Sequence, residues 1–213
     1  MPAKKPNDPY RSKAEPNKVL VDFFSHCKPA GWFLDLGCNT GTELQYMGTH
    51  GYQCEGIDTD PEAIAICRTR LLTKHVTNTV AIVASAQDFL QEKVAALIAH
   101  PKGKGRSYDV IHCWNVLPFL ASNEAKAVLA GMCKLSASNG LVFLRVFRDA
   151  QPSKHYPEDG PVHLFHIAAL KEHFQGYEVL VEKEEYFADE GHPGRPEPHD
   201  HAVVSLVIKK PAE

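Results

Sequence analysis

Trp32-Phe33-Leu34-Asp35-Leu36-Gly37-Cys38-Asn39-Thr40-Gly41 is an apolar run that ends on an acid and opens into a glycine-punctuated turn. A strand closing in Asp-x-Gly-x-x-x-Gly reads as the first strand-to-helix turn of a nucleotide-binding sheet. Gly37 supplies the backbone freedom a tight turn needs. Gly41 lets the following helix lie close to the strand, with its first N–H groups directed into the crevice. The acid then selects the ligand: a carboxylate at Asp35 repels a pyrophosphate at that helix N-terminus but accepts hydrogen bonds from a cationic, amino-acid-bearing nucleotide. A dinucleotide is disfavoured on this ground.

These residues resemble motif I of the class I S-adenosylmethionine-dependent methyltransferases, Asp-x-Gly-x-Gly-x-Gly, with Asn39 in place of the middle glycine. Asn tolerates positive φ better than other non-glycine residues, so the departure is mild. The resemblance implies an α/β fold: a Rossmann-like, seven-stranded, mostly parallel sheet with the last strand antiparallel and helices on both faces. It also implies S-adenosylmethionine as cofactor, held by Asp35, Gly37, Asn39 and Gly41, by Asp58 and Thr59, by Ala86 and Gln87, and by Cys113 and Asn115.

The order of segments agrees with that expectation. Residues 1–16 carry Pro2, Pro6, Pro9 and Pro16 with few apolar residues and read as a disordered tail before a single domain over 17–213. Asn17 is placed to cap a helix through Val19–Phe24. Strands are expected at Trp32–Leu36, Tyr52–Ile57, Val80–Ala84, Tyr108–Cys113 and Leu141–Phe147, with a helix between each successive pair. Strict alternation predicts a parallel sheet with ligands at the carboxyl ends of its strands. A polar loop and a helix near Ile167–Phe174 then precede two strand-like runs, Tyr177–Phe187 and Ala202–Lys209, which pair antiparallel because no helix separates them.

Composition narrows the class. The 213 residues are long enough for one substantial core, and 44% hydrophobic with 23% charged residues is ordinary for a globular protein. No apolar run approaches the roughly 20 residues of a membrane span. The start lacks the apolar core of a signal peptide, so a cytoplasmic location is expected. Six scattered cysteines without a CxxC pair imply neither a disulfide framework nor a zinc knuckle. A net charge of −3 offers no basic field for nucleic acid, which favours a small-molecule substrate.

Each candidate site residue has a plainer alternative. Asp58 ends the second strand, where an acid takes ribose hydroxyls in such folds; it also stands where Asp caps a helix opened by Pro61. Ser85-Ala86-Gln87-Asp88 resembles the family's adenine-edge stretch, and Ser and Asp are equally good caps. Trp114 and Phe119 either wall an acceptor pocket, as aromatic faces suit a cationic methyl donor, or belong to the core. Cys113 lacks a neighbouring cation to activate it, because His112 should point from the opposite face of the strand.

His192, Arg195, His199 and His201 read as an acceptor site, a solvated turn or a zinc site. The stretch from about Leu164 to Lys209 is loosely similar to the small-molecule methyltransferases of the tellurite-resistance type. The expected activity is methyl transfer to a small molecule, with His199 and His201 as candidate bases and Trp114, Phe119, Arg145 and Arg195 lining the acceptor side. The rivals are a non-catalytic cofactor- or protein-binding module of the same fold and a protein or nucleic-acid methyltransferase.

Overall fold

The computed structural model describes residues 15–99, 106–148, 165–189 and 197–212. The proposed tail therefore lies almost wholly outside the described residues, as do His192 and Arg195. Asn17 caps α1 (Lys18–Asp22) by accepting from Val19 N–H, and a 3₁₀ turn, Phe24–His26, follows. Then come β1 (Trp32–Leu36), α2 (Thr42–Thr49), β2 (Gln53–Asp58), α3 (Pro61–Thr73), β3 (Thr79–Val83), α4 (Ala86–Ala99) and β4 (Tyr108–Trp114). A 3₁₀ turn at Leu117–Phe119 leads to α5 (Ser122–Leu135), β5 (Ser136–Phe147), α6 (Ile167–Glu172), β6 (Glu178–Asp189) and β7 (His199–Lys209).

The sheet has the order β3-β2-β1-β4-β5-β7-β6. The first five strands are parallel, and β7 inserts antiparallel between β5 and β6. The seven-stranded sheet with an inverted last strand is thus present. The chain reverses direction in the sheet between β1, which leads outward to β2 and β3, and β4, which leads the other way. Ligands of open α/β sheets bind at that switch point.

Alternation along the strands sorts the core into two layers. Leu34, Ile111, Leu144 and Leu206 face Phe89, Leu90, Val128, Met132 and Leu170 of α4, α5 and α6. Phe33, Val110, Phe143 and Val207 face Leu20, Leu44, Met47, Ile64 and Leu71 of α1, α2 and α3. Asp35 and His112 are two residues beyond Phe33 and Val110, so both lie on the second of these faces, at the carboxyl ends of adjacent strands.

Several strand ends differ from the sequence reading, β7 starting at His199 and not at Ala202. α2 begins at Thr42, because Gly41 is left-handed, at φ 77°, and cannot be helical. β5 begins at Ser136, before Gly140, through a pairing of Ser136 with Tyr108 and a register shift that follows it.

Candidate active site

The turn after β1 is built from three left-handed residues: Gly37 at φ 76°, Asn39 at 47° and Gly41 at 77°. A Cβ on Gly37 would strike Val116, and one on Gly41 would strike the sulfur of Cys67. Both glycines are therefore required by space as well as by φ. The N–H groups of Gly37 and Cys38 donate to Ile57 O at 2.8 and 2.9 Å, tying the turn to the end of β2. Asn39 accepts the positive φ expected of it, and its N–H donates to Asp58 Oδ2 at 2.9 Å.

Asp58 does not cap α3. That role belongs to Asp60, whose Oδ1 accepts from Glu62 N–H at 2.9 Å and Ala63 N–H at 3.4 Å. Asp58 accepts from Asp60 N–H as well as Asn39 N–H, which aims its carboxylate across the glycine turn. Thr59 is exposed beside it. After β3 the capping alternative for Ser85 holds: its Oγ accepts from Asp88 N–H at 3.1 Å and donates to Asp88 Oδ2 at 2.7 Å. Ala86, buried, and Gln87, half-buried, form the first turn of that helix.

Asp35 is 1% exposed and accepts a 2.7 Å hydrogen bond from Nδ1 of His112. The His112 ring stacks on Trp114, with centroids 5.5 Å apart and planes 6° from parallel, and the Arg145 guanidinium lies 5.6 Å from the Trp114 ring centroid. A second ladder occupies the next position on the same face of β5. Phe147 meets Phe119 edge-on at 6.0 Å and stacks on His201 at 5.2 Å. The structure thus brings Trp114, Phe119, Arg145 and His201 together at the carboxyl end of β4 and β5. His199 shares the strand with His201, and Arg195 falls outside the described residues.

The family model described as a methyltransferase domain matches residues 10–183. The chain belongs to that family. TehB from Haemophilus influenzae superposes on this methyltransferase domain with a TM-score of 0.73 at 18% identity, covering 93% of this chain and 63% of that one. The chain therefore spans less than two thirds of the TehB chain. The 1,6-didemethyltoxoflavin-N1-methyltransferase of Burkholderia thailandensis, solved with 1,6-didemethyltoxoflavin and S-adenosylhomocysteine, gives a TM-score of 0.63 at 14% identity, covering 96% of this chain and 81% of that one. Magnesium protoporphyrin IX methyltransferase from Synechocystis PCC 6803, solved with S-adenosylmethionine, gives 0.62 at 13% identity, with 90% and 76% covered. At these identities the likeness is one of fold. No curated protein matches the sequence.

Within the methyltransferase domain, the side chain of Cys113 is fully buried in the core layer under α4 and α5, and burial, with Asp35 nearby, pushes its thiol far above the ordinary range. It is no nucleophile, and what it offers the crevice is backbone. Asn115 is left-handed at φ 58°, its N–H donates to Arg145 O at 3.0 Å, and its Oδ1 is buried without a partner. A buried acceptor without a protein partner at the end of β4 takes its hydrogen bond from water or from a ligand. Among the described residues no three His, Cys, Asp or Glu side chains converge as metal ligands, and none of the helices there is long and apolar enough to cross a membrane.

Sequence reasoning missed His112 as the partner of Asp35. The register Asp35↔His112 between β1 and β4 would have found it, because residues paired at neighbouring strand ends on one face must meet.

Proposed function

We propose that this domain transfers a methyl group from S-adenosylmethionine to a small-molecule acceptor at the carboxyl ends of β1, β4 and β5. The observation that carries the reading is the set of oxygen acceptors around the left-handed turn: Asp35, Asp58 and the partnerless Asn115 Oδ1. Two carboxylates and an amide oxygen suit a ligand with an ammonium and a ribose diol, and they oppose the phosphates of a dinucleotide. Gly37 and Gly41, packed against Val116 and Cys67, hold the turn in its left-handed form beneath the ligand, and Thr59, Ala86 and Gln87 are assigned to the ribose and adenine side. The two neighbours solved with S-adenosylmethionine or its product share this fold.

When bound, the cofactor supplies an electrophilic methyl on a sulfonium. The chain's own residues then need only align the acceptor and exclude water, which contributes several kcal/mol through orientation. Trp114 and Phe119 provide apolar walls and Arg145 a cation for an anionic acceptor. We assign to His201, stacked on Phe147, the role of accepting a proton where the acceptor carries one. We propose an acceptor-binding role for His199 and Arg195 on the sequence reading alone.

Calorimetry tests the cofactor reading: S-adenosylhomocysteine is expected to bind and NAD to produce no heat. Tight NAD binding with silence toward S-adenosylhomocysteine would refute it. A methyl-transfer screen over small thiols, amines, oxyanions and carboxylates then identifies the acceptor.

A further inference from the structure

Asn17 is the first buried residue of the described chain and bonds to three different elements. Its backbone N–H donates to Glu43 Oε1 at 3.0 Å, in the first turn of α2. Its Oδ1 accepts from Val19 N–H at 2.9 Å, and its Nδ2 lies 3.2 Å from His112 Nε2. The cap fixes which way the amide points, so Nδ2 must be the donor to His112 and Nε2 the acceptor. The imidazole proton then sits on Nδ1 and is donated to Asp35 Oδ1 at 2.7 Å. All four side chains are withdrawn from solvent: Asn17 6%, Glu43 6%, His112 3% and Asp35 1% exposed.

We propose that Asn17 is a positioning residue for cofactor binding, acting through His112 on Asp35. A donor already aimed at Nε2 excludes a second imidazole proton, because that proton would point into the Asn17 N–H group. His112 is thereby held neutral, with its one proton on Nδ1 and donated to Asp35, and it adds no positive charge to compete with the ammonium of the methionine moiety. An imidazolium in the same place would itself satisfy Asp35 and compete with the ligand. Among the described residues the groups facing His112 are Asp35 from β1, Asn17 from the start of α1, and the rings of Phe33 and Trp114. Arg145 stands beyond Trp114, and Glu43 accepts from the Asn17 N–H. The residue that starts α1 is in this way part of the cofactor site. The inference rests on the proposed contact between Asp35 and the amino-acid end of S-adenosylmethionine.

The test compares S-adenosylhomocysteine with 5′-methylthioadenosine, which lacks the amino-acid end, by calorimetry on the full chain. ¹⁵N spectra of the His112 ring are recorded alongside. Asn17→Ser keeps a good cap and withdraws the donor; Asn17→Asp keeps the cap and turns an acceptor toward Nε2. In the unsubstituted protein the ring is expected to carry its proton on Nδ1 alone. Asn17→Asp should give a doubly protonated ring and bind S-adenosylhomocysteine about tenfold more weakly, Asn17→Ser about threefold, with 5′-methylthioadenosine unchanged within about twofold in both.

A proton on Nε2 in the unsubstituted protein, unchanged S-adenosylhomocysteine affinity in Asn17→Asp, or equal losses of both ligands would each overturn the proposal. Asp35→Asn is the reference. If it keeps full S-adenosylhomocysteine affinity, the reading of Asp35 has failed and the role of Asn17 with it. If it loses that affinity while the Asn17 variants do not, only the role of Asn17 has failed.

Discussion

Two carboxylates are buried on neighbouring strands of this sheet, Asp35 on β1 and Glu55 on β2, and their surroundings have opposite designs. Glu55 pairs in register with Leu34, one residue before Asp35, and so faces the other side of the sheet. It is saturated: Lys93 Nζ lies at 3.0 Å, Arg106 at 2.8 Å, and the Tyr108 hydroxyl donates to its second oxygen. Arg106 is itself laid flat on Trp32, 3.3 Å from the ring centroid. Asp35 instead sits at the carboxyl end of its strand, bonded to an imidazole beside a glycine turn. A carboxylate surrounded by cations serves the fold, whereas one oriented at a strand end beside the glycine turn is aimed where ligands of such sheets bind.

The comparison breaks most visibly at Asp35. Asp35→Asn keeps an acceptor for His112 but removes the charge, and a hydrogen bond to a charged group is worth about 1.5–3 kcal/mol. Affinity for S-adenosylhomocysteine should fall roughly 10- to 150-fold, with the melting temperature of the free protein within about 3 °C. A melting temperature that collapses while affinity survives would reverse the two roles.

Glu55→Gln should do the opposite. Removing one partner of a fully buried ion pair costs about 3–5 kcal/mol. Here the side chains of Lys93 and Arg106 are 23% and 36% exposed and can turn to water, so the loss is expected nearer ~2 kcal/mol, read by urea unfolding. Cofactor affinity should stay within about twofold, since the cluster lies on the face opposite Asp35. An affinity loss equal to that of Asp35→Asn would show that the two carboxylates are not separate systems.

The two sites also differ in how far the sequence discloses them. The turn at Gly37–Gly41 is legible because every determinant is local: an apolar strand, an acid, and residues that tolerate positive φ at 37, 39 and 41. The same holds for the alternation of strands and helices and for the antiparallel end, which needs only two strands without a helix between them. The Asp35–His112–Asn17 relay is not local. It joins residues 77 and 95 positions apart, and it depends on register between strands and on where α1 lands. Asn17 was legible only as a helix cap, which it is, because nothing near it in the chain announces the imidazole its amide will meet. Asp58 is a local case. Its capping alternative was reasonable from Pro61 alone, but Asp60 is two residues closer to the helix and takes the N–H groups.

The smallest expected effect is a change in slope with pH, and it isolates Glu55 from the rest of the chain. Burial works against its charge, yet the Tyr108 hydroxyl, Lys93 and Arg106 outweigh burial and hold its carboxyl below the ordinary 4.5. A group whose folded value is depressed contributes stability that is fully present above the unfolded value and is lost as pH falls through the folded one. Between pH 5 and 7 the difference in unfolding free energy between the unsubstituted protein and Glu55→Gln should therefore be flat. Below about pH 4.5 it should shrink, because glutamine is a neutral isostere of the protonated acid and the two proteins become alike at that position. Other carboxylates titrate in the same range, but they do so in both proteins and cancel in the difference. Urea unfolding at half-unit steps from pH 3.5 to 7 reads it directly. A difference that stays constant to pH 3.5, or grows there, would mean that the cluster does not favour the ionised acid and that Glu55 is held by packing and not by charge.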